Sequence, residues 1–589
     1  MLNAELTNRR VCNCSIRCRR INHDISALPI LARESRLGRR FVWARVGQEL
    51  ARGLARDWPG SGRVGQSSGN GSMTSLTADG AAFHNNQERQ AGIAAANFAN
   101  AVLTVVVAAG LTAIPVFAHL LHPAIGVLSA VLLAGLCAWR MPDISIVAIV
   151  FALLFQNTFV SLAVGGVVSD DDFDVIRGYN FVIIAVTWLV LTAAFLADWR
   201  QRNTAFDPFV KVLAALFVIL GVYFLLGFVF YGIAAIIYLR NIVTPLLLFQ
   251  ICALAFLRRP IRLSQAVTIL SVLVAACGFF EFFWREAWLD LTNGWAYWER
   301  AQGPNYMTLA YDTELQRTGH VSTGLLDSFR ITLFNSPLMA DYDIQVMRLF
   351  GPNMHAISFA YALCFLAMFA LYRGRFALTA ALFVLLVVTS AKGPLILFLL
   401  VGASWFNFRL FGAKFAFICL CLVMLAYAAV GIVVGLGLGD YHVIGLMGGL
   451  DEFLANPVGR GIGAGGNLSS EFVNIDWSAA QAAGRTPFAV ESAVGVLLSQ
   501  TGVFALAVIG AYLWIAWRVL LIARATGNDL HAAAAFALLA MVGTGLFQEE
   551  AYFAPLALAM FMALAGMIVG AAGRSGLLDR HAAGAPTLS

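Results

Sequence analysis

From residue 97 to residue 571 the chain alternates long apolar runs with short polar breaks. The runs fall at about 97–118, 123–139, 142–163, 179–197, 209–230, 238–257, 265–284, 353–371, 415–436, 499–517, 532–548 and 553–571. Each is near the ~20 residues that a helix needs to cross ~30 Å of hydrocarbon. The apolar stretch 376–408 is interrupted by Ser390-Ala391-Lys392-Gly393-Pro394, which predicts two shorter helices meeting at one membrane face. The pattern therefore predicts an all-α polytopic membrane bundle of about 14 transmembrane helices. Two stretches, 285–350 and 437–498, stay polar for too long to be turns and are expected as long loops.

Orientation follows from lysine and arginine in the short loops. Arg200/Arg202, Arg258/Arg259/Arg262, Arg373/Arg375, Arg409/Lys414, Arg518/Arg524 and Arg574 fall on one side of this count, which the positive-inside rule makes the cytoplasm. Both termini then lie inside. Asp170-Asp171-Asp172, the 285–350 loop, the Lys392 break and the 437–498 loop lie outside. The resulting organisation is a basic cytoplasmic tail at 1–95, membrane helices at 97–284, an outer loop at 285–350, central helices at 351–436, a glycine-rich outer loop at 437–498, closing helices at 499–571 and a cytoplasmic tail at 572–589.

Composition agrees with this class: 60% of the 589 residues are hydrophobic and 12% charged, with a mean hydropathy of +0.77, far above soluble globular chains. The net charge of +6 does not indicate a nucleic-acid partner, because thirteen arginines precede Met73 and the remainder is close to neutral. That leading segment lacks a long apolar run, and Gly60 to Gly71 reads as linker, so it is neither signal peptide nor membrane anchor. Met73 offers an alternative start, with residues 1–72 expected to be dispensable. Cys12, Cys14 and Cys18 lack a second ligand pair at zinc spacing, and the other six cysteines lie within or beside apolar runs, so neither a metal site nor a structural disulfide is expected.

Candidate chemistry sits on the outer face. Arg348-Leu-Phe-Gly-Pro-Asn353 places an arginine at a membrane boundary just before a Gly351-Pro352-Asn353 helix mouth, a setting suited to an anion. Arg240 lies in Tyr238-Leu-Arg-Asn241, Lys392 interrupts the split run, and Glu491 opens the segment after the second long loop. Taken singly each has a plain alternative: interfacial snorkelling for the arginines, a helix break for Lys392, a solvated carboxylate for Glu491. Together on one face they suit a lipid-linked diphosphate gripped by cations, with a carboxylate to take a proton from an attacking hydroxyl. Arginine is the expected charge partner, and neither a divalent metal nor a cofactor is required.

The ordered set Arg348–Asn353, Thr389-Ser-Ala-Lys-Gly393, Asn456-Pro-Val-Gly-Arg-Gly-Ile-Gly463 and Glu491–Gly502 resembles the O-antigen ligase and polysaccharide polymerase superfamily over roughly residues 230–520. The resemblance implies a GT-C-like, metal-independent glycosyltransferase in the bacterial inner membrane, working at the periplasmic side on undecaprenyl-diphosphate-linked glycan as donor and acceptor, with a chain-length regulator as a further partner. It implies that Arg348 binds diphosphate and that Arg240 is the second such arginine. Two departures matter: Glu491 stands where ligases carry histidine, and Ala391-Lys392-Gly393 where many members have Ser-Arg-Gly. A polymerase joining lipid-linked repeats is thus expected ahead of a ligase acting on lipid A core. A secondary transporter or flippase is the alternative from another class, with Glu281 as its main in-span charge.

The glycines of the second loop read either as a lid over a sugar groove or as a flexible surface segment. Trp284, Trp288, Trp295, Tyr297 and Trp298 read as an aromatic belt or as stacking faces for sugars.

Overall fold

The computed structural model describes residues 74–198, 204–302, 315, 329–335, 344–469 and 471–578, with side chains from residue 92 onward. Cys12, Cys14, Cys18 and the Met73 start lie outside the described residues. The chain divides into two compact units, residues 4–97 and the remainder from 98. The described part of the first is helical, the beginning of α1 (Thr74–Leu121).

In the second unit the expected all-α polytopic bundle is what the structure shows. The helices are α2 (Pro123–Arg140), α3 (Pro142–Ala163), α4 (Asp170–Arg177), α5 (Tyr179–Ala197), α6 (Asp207–Tyr231), α7 (Ile233–Arg258), α8 (Ser264–Phe283), α9 (Arg285–Thr292) and α10 (Gly294–Gln302). After a small hairpin, β1 (Arg330–Thr332) and β2 (Gln345–Met347), come α11 (Ala356–Tyr372), α12 (Phe376–Val388), α13 (Lys392–Phe411), α14 (Ala413–Leu438) and α15 (Tyr441–Ala455). The chain closes with α16 (Trp477–Ala483), α17 (Ala493–Thr501), α18 (Ala505–Thr526), α19 (Asp529–Thr544), α20 (Glu550–Phe553) and α21 (Leu558–Arg574). Among the described residues ten helices are long and apolar enough to cross a membrane; α11, α12, α19 and α21 are shorter apolar helices.

Helix α7 is the axis of the bundle and is almost wholly buried, whereas α14 turns most of its surface outward. Residues such as Val433, Leu425 and Val229 are more than three-fifths exposed, which only a hydrocarbon surround makes stable. The α7–α21 contact is close because of Gly566 and Gly570, four apart on one face of α21. A Cβ on either would fall 2.2 Å from a carbonyl oxygen of α7, that of Phe249 or of Ala253. With no side chain there, the two backbones meet directly, as small-xxx-small pairs allow in lipid.

The two ends of the bundle differ in chemistry. At one end Arg258 pairs with Asp198, Arg259 with Asp143 (2.8 Å) and Arg409 with Asp529 (2.7 Å). Arg240 is on the same helix as Arg258, and eighteen residues at 1.5 Å each set it ~27 Å away, at the other end.

That second end is covered by α4, α9, α10 and the hairpin, which enclose a separate apolar core of Phe173, Trp288, Tyr297, Trp298, Phe329 and Phe350. Trp288, Tyr297 and Trp298 are therefore buried in that cap and form neither belt nor sugar platform; Trp284 is 60% exposed.

Candidate functional site

The hairpin delivers Arg348. Strands β1 and β2 pair antiparallel with Arg330 opposite Met347, and the Arg348 N–H continues the ladder by donating to Phe329 O (3.1 Å). Phe350 then wedges between Trp298 and Phe329, at 4.8 and 4.4 Å between ring centroids. Gly351, Pro352 and Asn353 form a buried 3₁₀ turn, with Gly351 at φ 62° and the following Met354 left-handed at 54°. Asn157 and Thr158 of α3 donate to the carbonyls of Asn353 and Pro352. The backbone donors of this mouth hold no open anion seat, because the fully buried Glu281 carboxylate takes them: Phe350 N–H at 2.9 Å and Gly351 N–H at 2.7 Å. Arg285 pairs with Glu281 (3.4 Å) and donates to Arg348 O (2.6 Å). Gly351, Pro352 and Asn353 are thus the frame that aims Arg348, and Glu281 is the bolt through it.

Around Arg348 gathers a wall of positive charge. His355 ends the mouth, and its Nδ1 caps α11 by accepting from Ser358 N–H (3.2 Å). Burial, and then the charges of Arg177 and Arg348, push its pKa down to about 4. The ring is neutral at pH 7, and with Nδ1 accepting, its proton sits on Nε2. Arg177, the last residue of α4, stands over the Phe173 ring at 5.3 Å, and the charges of Arg177 and Asp174 both reach Arg240 on α7. The charge of Arg177 thus reaches both Arg240 and His355, and Arg177 is itself paired with Asp174 (3.3 Å). Arg177 was missed by sequence reasoning, since its short helix carries four aspartates and looks like a solvated acidic turn.

Opposite lies an acidic wall, built where α15 and α17 approach. A Cβ on Gly449 would sit 2.6 Å from the Gly495 Cα, so bare backbone contact sets the spacing of these helices. Asp440 caps α15, and His442 in its first turn puts Nδ1 3.2 Å from Glu491 Oε2. Burial opposes a charge on His442, but contact with Glu491 and the charges of Glu491, Asp440 and Glu550 outweigh it and hold the imidazole pKa above its ordinary value. Glu491 itself is left-handed, φ 59°, a conformation costing a non-glycine residue roughly 1–2 kcal/mol. Its N–H donates to Asn467 Oδ1 (2.9 Å). The Asn467 N–H in turn donates to Glu549 (3.1 Å), which also accepts from Tyr238 OH (2.7 Å).

Burial, with the negative charge of Glu550 and Glu491, pushes Glu549 up to about 8 against the opposing hydrogen bonds; burial and then Glu491 push Glu550 up to about 7. The charge of Arg348 also reaches Glu550, which links the two walls. Lys392 faces this side: it is exposed, and Asp440 is its electrostatic partner. Lys392 is thus near Asp440, Arg240 is within reach of Arg177, and Arg348 is within reach of both His355 and Glu550.

His355 is exposed, and the His442 side chain keeps 30% of its surface, yet burial is the largest influence on both. The glycine-rich segment Gly459–Gly466 is a packed strap. Arg460 and Gly461 N–H donate to Ser499 and Gln500, Ile462 N–H to Tyr223, and Gly466 N–H to Ala489. Its glycines at 461 and 463, φ 99° and 100°, press against α6 and α7 backbone. Among the described residues no three His, Cys, Asp or Glu side chains cluster as metal ligands. Compared with known proteins, the chain matches no family model and none of the curated entries.

Proposed function

We propose that this chain is a membrane glycan polymerase of about fourteen spans and GT-C-like arrangement, moving a polyprenyl-diphosphate-linked oligosaccharide to a sugar hydroxyl of another lipid-linked repeat at the periplasmic face of a bacterial inner membrane. The observation that carries the reading is the His442–Glu491 pair, with the charge of Arg348 reaching the neighbouring Glu550 and, with that of Arg177, reaching His355. Clustered guanidiniums suit a diphosphate, whose oxygens accept paired N–H donors. In the transfer, the acceptor oxygen attacks the anomeric carbon while the bond from that carbon to the diphosphate oxygen breaks. The bonding pair leaves on the diphosphate, where Arg348, Arg240 and Arg177 offset the new charge. The hydroxyl proton passes to the His442–Glu491 pair. The locked state of Glu281 speaks against a transporter, since a charge bolted to two N–H groups and Arg285 is committed to the frame.

Arg348→Ala tests the reading. It should abolish polymer and leave the single lipid-linked repeat to accumulate, at unchanged protein level in the membrane; full-length polymer from this variant refutes the proposal. Transfer of glycan to lipid A core by the purified protein would redirect it to ligase chemistry.

A further inference from the structure

Beyond the reacting groups, the second long loop carries a groove that the transfer chemistry does not employ. It encloses about 540 Å³, within the ~300–1,000 Å³ of small-ligand sites. Ile475, Ala480 and Phe488 make a buried apolar floor, while Glu471 and Asn474 stand exposed on the rim. Arg485 also lines the groove and is paired with Asp451, so the balance of charge around it is negative, Glu471, Asp476 (the α16 cap) and Asp451 against Arg485.

Two connections tie the groove to the reacting pair. Its Thr486–Phe488 wall continues through Ala489 and Val490 into Glu491. Beneath the floor, Ile475 and Phe488 pack on Trp477, whose ring meets Tyr441 at 6.2 Å, and Tyr441 lies 4.4 Å from the His442 ring, centroid to centroid. Side-chain packing therefore leads from the groove floor through Trp477 and Tyr441 to His442.

We infer that this groove seats sugar units of the glycan beyond the reacting one, and that it takes uncharged saccharides in preference to those bearing uronate or phosphate. The inference rests on the glycan-transfer reading. Sugar hydroxyls donate to carboxylate and amide oxygens such as those of Glu471 and Asn474, and the C–H face of a pyranose covers an apolar floor. An anionic unit would instead meet Glu471 and Asp476 at close range, where like charges repel.

The test uses the full-length chain in its membrane, comparing the double variant Glu471→Gln/Asn474→Ala with Arg348→Ala. Both rim residues are exposed, so the double variant leaves the core untouched. It should make shorter polymer in cells and raise KM for the lipid-linked repeat roughly tenfold, with a smaller change in kcat. Wild-type chain length and KM at equal protein level would overturn the groove assignment while Arg348→Ala still abolished polymer. If Arg348→Ala retained polymer, the transfer reading itself would fall and the groove with it. Sugar analysis of the native polymer checks selectivity: uncharged repeats agree, and a uronate- or phosphate-bearing repeat overturns it.

Discussion

Glu281→Ala is the substitution that most directly tests how the arginine wall is built. The side chain has no exposed surface and Arg285 keeps only a tenth of its own, so solvent does little to screen the pair. Removing the carboxylate strands the Phe350 and Gly351 N–H groups, each costing about 1–3 kcal/mol when buried and unpaired. It also leaves the Arg285 guanidinium without its buried partner, a loss of about 3–5 kcal/mol in comparable sites. These terms overlap because the same oxygens serve both, so the larger one, about 3–5 kcal/mol, is the working figure. At roughly 0.8 °C per kcal/mol for a chain of this size, thermal unfolding of the detergent-purified protein should fall by about 2–4 °C.

Glu281→Gln retains an acceptor oxygen and the shape, and should fall by about half as much. Both variants should lose polymer-forming activity beyond what their stability explains, because Arg348 loses its aim. An unshifted melting temperature for Glu281→Ala, or wild-type polymer from it, would refute the account of the mouth as a frame bolted by Glu281.

Gly570→Leu should separate α7 from α21, since its Cβ alone would reach within 2.2 Å of Ala253 O; a fall in folded protein recovered from membranes, greater than for Gly510→Leu in open space, checks it. Stability should also fall as pH rises. Glu549 moves from an ordinary 4.5 to about 8 on folding, so the folded chain holds a proton that the unfolded chain has released across that window. The stabilisation is complete below about 4.5 and lost as pH passes through about 8. Glu549→Gln, which imitates the protonated acid, should flatten the fall in melting temperature between pH 5 and pH 8; an unaltered slope contradicts the burial of Glu549 as an acid.

The bundle was legible in the chain because spanning helices are written in hydropathy alone. A run of twenty apolar residues has few other stable uses, and the charges that end each run also set its direction. The cap formed by α4, α9, α10 and the hairpin was harder to read. Trp288, Tyr297 and Trp298 are spaced irregularly, and aromatic residues near a membrane edge suit an interface as well as a core; only the pairing of α9 and α10 with Phe173 and Phe350 decides between them. The glycines of the second loop were equally ambiguous, because freedom in φ serves a mobile lid and a tightly packed strap alike. What decides for the strap is its partners, Tyr223, Ser499, Gln500 and Ala489, from segments distant in sequence.

The site shows the same division more sharply. Arg240, Arg348 and Glu491 could be singled out because each is a charge beside an apolar run, and the cost of holding charge near lipid makes such residues informative. Arg177 and Glu549 also adjoin apolar runs, at 179–197 and 532–548, but one follows a string of aspartates and the other sits in a short break between runs, while His442 lies within a segment that reads as loop. They belong to the site through geometry, as the α15–α17 contact sets His442 on Glu491 and the strap carries Asn467 from Glu549 to the Glu491 backbone. A left-handed Glu491 makes physical sense only within that arrangement. A conformation that costs energy locally persists because two hydrogen bonds in series hold it, and the side chain it directs is the one paired with His442. The sequence motif therefore records where the charged groups are needed, while the long-range contacts determine which of them act together.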